Sequence, residues 1–470
     1  MSDSSHFLDH HIQIGGEDLI DRYLHGILAD DPENEDNKEK AEKKLLEILK
    51  EMRVRFGTLL KTDNVSFLIG AGVSLDAGGV SLANIPIPLE GALIEKAAAE
   101  IEGDAAPSWL EFFYESVSLL SNDGYALKER SELFKSTQEK AFPAIAVNLE
   151  DYLSHLHMWL AGMVHETETL TLSGGAGITI AKNDLEKLLK EITSSLTELL
   201  DLPKTGKDDP LKSHRKFIKK ILTRPLNLRR ANIFTLNYDT LIEQACDAEG
   251  AVLVDGFVGT LRRVFRPESY DIDFYFPAQT TEGRVHRFDR ALHLYKLHGS
   301  ITWHRCDQDW NNPFGLYATF YDQNTRKDDV LIYPSPLKYG QTLGMPYSEL
   351  FRRFGNAIAQ PQSALFVIGY GFGDDHVNAL IWQAIAIPSF TLVVIDPDPK
   401  NDFVAKLEKL QDKRIWIVKG WELGTFEHFV RKLLPDLREE EIHAKVMRTF
   451  KELAPAKYST GGAEGDGDGK

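Results

Sequence analysis

The sequence predicts an α/β fold: a Rossmann-like, doubly wound parallel sheet with a large helical insertion. Three observations carry this expectation. Most of seven short apolar runs (Val65–Ile69, Ala231–Leu236, Ala251–Val254, Leu292–Leu297, Leu365–Ile368, Thr391–Ile395 and Ile415–Val418) are near-continuous rather than alternating, as strands covered on both faces are. Helical patterns at Tyr238–Asp247, Asp374–Ala386 and Asp402–Gln411 separate several of them, and strand–helix–strand alternation builds a parallel sheet. Between Ile85 and Arg230 no clear strand signal is present and helical periodicity takes over.

Taken in order, residues 1–60 form an N-terminal arm and a helix. The first 36 residues are polar and acidic ("DDPENEDN") and read as a loosely held arm. From Asn37 to about Leu60, the residues Leu45, Leu46, Ile48, Leu49, Met52 and Phe56 recur near 3.6 spacing, an amphipathic helix packed on the domain that follows. Residues 61–420 form the α/β domain, with the helical insertion at about 85–230. Its helices are expected at Leu89–Ile101, Trp109–Asn122, Asn148–Val164, Leu185–Leu202 and Lys212–Thr223, and the Gly-rich "SGGAGIT" reads as a flexible loop. Residues 421–455 read as two closing helices, and the low-complexity tail 456–470 as disordered.

The strand ends are where chemistry concentrates, because ligands of an open parallel sheet bind beyond its carboxyl edge. "VSFLIGAGVS" runs from an apolar strand into Gly70, Ala71, Gly72 and Ser74. Glycines permit a sharp turn and expose N–H groups, and a following helix N-terminus favours an anion; a tight turn without a ligand explains the spacing equally well. "IFTLNYDTLI" stops at Asn237-Tyr238-Asp239, where Asp and Asn are also preferred helix caps. "LYKLHGS" ends at His298, an imidazole of the kind that serves as a general base but is more commonly a structural hydrogen-bonder. "FVIGYGFGDD" ends in Gly369, Tyr370, Gly371 and Gly373. "TLVVIDPDP" ends at Asp396, the place of a ribose-hydroxyl acceptor or of a loop starter. Each end alone is explicable as turn chemistry. Together they line glycine, amide, carboxylate and imidazole along one sheet edge, which points to a nucleotide site.

Other chemistries fit poorly. His155 and His157 on one helix point apart, and His304 with Cys306 lacks a second ligand pair, so no metal is expected. No G-x-x-x-x-G-K-[ST] is present. With 71 acidic and 54 basic residues the formal net charge is −17, which opposes direct nucleic-acid binding through the phosphate backbone. Two cysteines, Cys246 and Cys306, suit a reducing cytoplasmic setting; the N-terminus does not read as a signal peptide, and no apolar run approaches a membrane span.

In order, "GAGVS", "TLNYDTLIEQA", "KLHGSITW" and "GYGFGDDHVNALI" resemble the sirtuin series, and more closely the bacterial sirtuin-like NAD-hydrolase branch of antiphage defence systems. The resemblance covers roughly Val65 to Val418. It implies that Gly70, Ala71, Gly72 and Ser74 contact the NAD phosphates and adjoining ribose. Asn237 and Asp239 would surround the nicotinamide end, with Asp239 holding the carboxamide or remaining a helix cap, and His298 would be the base. Gly369, Tyr370 and Gly371 would line the diphosphate side, with Asp396 at the adenosine ribose. Three departures oppose protein deacylation: only Cys306 follows the His-Gly where deacylases carry four zinc-binding cysteines, Leu236 stands where they have Gln, and "LDAGGVSLANIP" replaces their Gly-Ile-Pro motif. The resemblance therefore implies an NAD glycohydrolase that depletes NAD as an effector of antiphage defence, with NAD as substrate and no metal. It also implies a homo-oligomer controlled by a partner protein, a HerA-type hexameric ATPase first and a short Argonaute second. The competing reading is a non-catalytic NAD- or ADP-ribose-binding regulatory subunit.

Overall fold

The computed structural model describes residues 10–25, 27, 34–80, 84–100, 107–120, 149–165, 167–172, 179–204, 209–276, 286–319, 330–332, 346–442 and 445–446. The tail 456–470 and most of "SGGAGIT" lie outside these residues.

The chain opens with β1 (His11–Ile14) and β2 (Glu17–Asp18), followed by the long helix α1 (Glu35–Leu60) and strand β3 (Asn64–Ile69). Helices α2 (Pro86–Glu100), α3 (Ser108–Leu120) and α4 (Leu149–Gly162), the pair β4 (Thr169–Thr171) and β5 (Thr179–Ala181), and helices α5 (Lys182–Leu200) and α6 (Lys212–Ile221) fill the insertion. The sheet resumes with β6 (Asn232–Thr235), α7 (Leu241–Ala248), β7 (Val252–Val254), β8 (Phe257–Val258), β9 (Arg263–Phe265), β10 (Ala291–Lys296), β11 (Gly299–Arg305), β12 (Leu316–Ala318) and β13 (Val330–Ile332). It ends with α8 (Tyr347–Ile358), β14 (Ser363–Ile368), α9 (Asp375–Ile385), β15 (Thr391–Ile395), α10 (Asp402–Lys409), β16 (Ile415–Lys419) and a helical segment over Phe426–His428 and Phe429–Leu433.

The main sheet has nine strands in the order β2-β1-β16-β15-β14-β3-β6-β10-β7. The seven strands from β16 to β7 are mutually parallel. From β3 the chain moves outward to β6 and beyond; β14, β15 and β16 fill the opposite side. The strand order thus reverses between β3 and β14, and that crevice is where such sheets bind ligands.

Period-two alternation divides the strand side chains between two cores. Phe67, Ile69, Ile233, Phe366, Ile368 and Val393 face α1, α6 and α7. Leu68, Phe234, Leu365, Val367, Leu392 and Val394 face α8, α9 and α10. All six residues of β14 are buried, as a central parallel strand requires. The insertion has a third core of its own, built on Trp109, Phe112, Tyr152 and Leu188.

Three expectations are corrected. Residues 10–25 of the arm are not loosely held: β1 pairs antiparallel with β16, and Ile12 is fully buried among α1 residues. A four-residue strand with two inward apolar residues, Ile12 and Ile14, carries too little alternation to read against acidic neighbours. The insertion contains the antiparallel pair β4–β5. Finally, a second sheet of order β13-β11-β12-β9-β8 grows directly from β10, which no continuous apolar run announced because its strands are two to seven residues long. Among the described residues no helix is long and apolar enough to cross a membrane.

Candidate active site

Six neighbouring strand ends, those of β10, β6, β3, β14, β15 and β16, form the floor of one cavity of about 670 Å³. At about 4.8 Å per strand, five intervals make a trough on the order of 24 Å across. The structure brings every sequence-predicted site residue to its wall: Gly70, Ala71, Gly72, Ser74, Asn237, Asp239, His298, Gly369, Tyr370, Gly371 and Asp396.

The floor at the reversal of strand order is made by backbone meeting backbone. A Cβ on Gly70 would lie 2.5 Å from the Gly369 carbonyl oxygen, and one on Gly72 would lie 2.7 Å from Gly369 Cα. Gly369 has φ of +61°, in the left-handed region that glycine enters freely. The Gly70 N–H donates to the Ile368 carbonyl and the Gly72 N–H to the Gly369 carbonyl. The two glycine turns therefore brace each other. The expected helix after Gly-Ala-Gly is instead two short turns, Ala71–Val73 and Leu75–Ala77, stopped at Gly78 (φ +87°). Two such turns develop little macrodipole, so the anion-attracting helix end expected there is absent among these residues.

Beside this floor, the Asn237 Nδ2 donates to the Gly70 carbonyl (3.0 Å) and to Ser74 Oγ (2.9 Å). Ser74 Oγ donates to Asp239 Oδ2 (2.6 Å), and Asp239 Oδ1 accepts the Leu241 N–H (3.1 Å) at the start of α7. Both Asp239 oxygens thus serve the protein, one starting the helix and the other holding Ser74. Lys296, buried at the end of β10, donates to the Asp239 carbonyl and to Glu243 Oε1 (2.9 Å), tying the β6–α7 turn to β10. Burial raises the Glu243 carboxyl above the ordinary range, against the Lys296 charge. His214 on α6 lies close to Asp239 and is depressed by burial to about 4.

His298 sits in the turn between the two sheets, and Gly299 (φ +96°) lets the chain reverse immediately after it. Its Nε2 lies 3.0 Å from Asp374 Oδ2, and both side chains are buried. Asp374 Oδ1 meanwhile accepts the His376 and Val377 N–H groups and caps α9. Tyr370 lines the cavity, but its hydroxyl is spent inside the turn, on the Asp374 backbone and Asn378 Oδ1. At the far end, Asp396 Oδ1 accepts the Asp398 N–H (2.9 Å), and burial raises its carboxyl above the usual range.

Sequence reasoning missed Asp374, which "GFGDD" marks as an acid at a glycine-rich strand end and which reads only as a helix start. It missed the sixth strand end, where "KGWELG" carries the same glycine irregularity as the other five. It also missed the apolar wall that Leu149, Leu199 and Leu200 of the insertion supply, since no local pattern says which insertion residues fold back over the sheet. Among the described residues no group of three or more His, Cys, Asp or Glu is arranged to hold a metal ion.

Residues 231–417 match the family described as the SIR2-like domain. No curated protein matches the chain. Similar solved structures include a triple mutant of a Sir2 homologue in complex with 2′-O-acetyl ADP ribose, at 11% identity and TM-score 0.34, covering 82% of this chain and 96% of that one. A histidine-to-asparagine mutant of a Sir2 homologue in complex with ADP ribose is 12% identical at TM-score 0.30, covering 76% and 94% respectively.

Proposed function

We propose that the chain, which carries a SIR2-like domain over residues 231–417, is an NAD glycohydrolase that releases nicotinamide and ADP-ribose. The observation that supports this reading most is the His298–Asp374 pair in the same cavity wall as Asn237. A site that only binds a dinucleotide has no use for an imidazole oriented by a buried carboxylate.

A carboxylate accepts and cannot donate, so the contact with Asp374 fixes the proton on His298 Nε2 and makes Nδ1 the basic nitrogen. Asn237 has its amide N–H groups engaged by Gly70 and Ser74, which presents Oδ1 as the acceptor for a water or a ribose hydroxyl. The bond from ribose C1′ to the nicotinamide nitrogen breaks, its electron pair neutralising the pyridinium ring. The oxygen of water then bonds C1′, and its proton passes to His298 and on to solvent. General-base assistance of this kind contributes about 10²–10⁴-fold. By the resemblance, Gly70–Gly72 and Gly369–Gly371 would line the diphosphate, although the Gly70, Gly72 and Gly369 N–H groups are spent on protein carbonyls, and Asp396 would hold the adenosine ribose.

The wider role follows the sequence resemblance: depletion of NAD as an antiphage effector, in a homo-oligomer restrained or triggered by a partner, with a HerA-type hexameric ATPase preferred over a short Argonaute. The test is nicotinamide release from NAD by the purified full chain, alone and with each candidate partner. Release that falls at least a hundredfold in His298→Ala and Asn237→Ala is the expected result. No release under any of these conditions would remove the hydrolase reading, leaving the non-catalytic binding subunit.

A further inference from the structure

Trp421 follows β16, the outermost strand of the trough, and is unlike the other aromatic residues of its wall. It lines the cavity, yet it is 67% exposed, whereas the aromatic residues Tyr238, Tyr370 and Phe426 of the same wall are each under a tenth exposed. An exposed indole lining a cavity presents a flat apolar face on which a planar ring can stack.

Its position is fixed by rigid surroundings. Gly420 (φ +101°) turns the chain out of β16, and the Gly420 N–H donates to the Pro397 carbonyl. Gly424 then packs against the Asp396 backbone, where a Cβ would lie 2.4 Å from the Asp396 carbonyl oxygen. Trp421 is thereby tethered beside Asp396 and Pro397, at the opposite end of the trough from Asn237 and His298. β6 and β16 are separated by four strand intervals, about 19 Å.

We infer that Trp421 is the stacking platform for the purine base, which makes the site favour purine dinucleotides over nicotinamide mononucleotide. This deepens the proposed function and rests on it for the identity of the ligand. Every purine presents a flat π-face, and an aromatic side chain beneath it contributes binding without discriminating among edge groups. The reacting bond would lie at the far end of the trough, so the platform acts on affinity and leaves the chemistry to Asn237 and His298.

The test uses the full chain as wild type, Trp421→Ala and Trp421→Phe, with equal melting temperatures as the check on folding. Two quantities are measured: AMP binding by calorimetry, and KM and kcat for NAD and for nicotinamide mononucleotide. The expected result is that Trp421→Ala weakens AMP binding and raises KM for NAD by about tenfold or more. The kcat for NAD stays within about twofold, nicotinamide mononucleotide is unaffected, and Trp421→Phe restores most of the loss. If NAD is hydrolysed but Trp421→Ala leaves AMP binding and KM unchanged, the platform is wrong and the hydrolase reading stands. If no NAD is hydrolysed but AMP binds and Trp421→Ala weakens it, the platform stands and the hydrolase reading falls. Failure of the wild-type chain to bind AMP overturns the platform outright.

Discussion

At the scale of single residues, Asp374 does two jobs with two oxygens: one caps α9 and the other faces His298. Asparagine is as good a cap as aspartate but brings no negative charge to the imidazole. Asp374→Asn is therefore expected to leave thermal stability within a few degrees while nicotinamide release falls by about ten- to a hundredfold or more. Equal loss of folding and activity would show that Asp374 is only a cap. Gly369 gives the opposite kind of prediction. Gly369→Ala places a Cβ 2.7 Å from Gly72 Cα at a φ of +61°, so chemical denaturation should show a loss of about 1–3 kcal/mol. Asn237, Asp239, His298 and Asp396 are visible in the sequence because polar residues stop apolar runs there. The partners that decide their roles are not visible, because Ser74 lies 165 positions from Asp239.

At the scale of elements, β1 is the clearest case of a segment whose composition conceals its structure. His11–Ile14 borrows its ladder from β16 and contributes one fully buried side chain, Ile12, to the core beneath α1. Ile12→Ala should lower unfolding free energy by about 2–4 kcal/mol in urea titration; an unchanged midpoint would return these residues to a loose arm. The parallel strands were legible because burial on both faces demands unbroken apolar runs such as "ALFVI". The second sheet was not, because β8 and β9 have two and three residues, too few to establish a period. The turns after β3 escaped for a related reason: Leu75-Asp76-Ala77 suits a helix, and only the glycine pair at 78 and 79 cuts it short.

At the scale of the whole molecule, a buried histidine, His214, and a half-buried one, His293, tie stability to pH. Burial holds both His214 and His293 near 4, well below the ordinary 6.5. Above 6.5 folded and unfolded chains alike carry neutral rings, and their contribution to stability is fully present. As pH falls from 6.5 the unfolded chain takes up protons that the folded chain refuses, until about pH 4, where the folded rings also charge. The expected loss across this window is on the order of 3 kcal/mol for each ring. Equilibrium unfolding of wild type and His293→Gln between pH 7 and pH 4 checks it. The variant should show the shallower decline, and parallel curves would contradict the assignment.

The order of strands in the sheet also bears on how the protein is made. β3 lies at the centre, but its neighbour β14 is synthesised almost three hundred residues later, and the last wall of the trough, residues 421–426, later still. A chain still on the ribosome with β14 untranslated has no floor for a dinucleotide to rest on. It also lacks Asp374 to orient His298. On the proposed hydrolase reading, vectorial synthesis would keep each nascent copy inert until β14 and the residues after it have emerged, with no inhibitor needed.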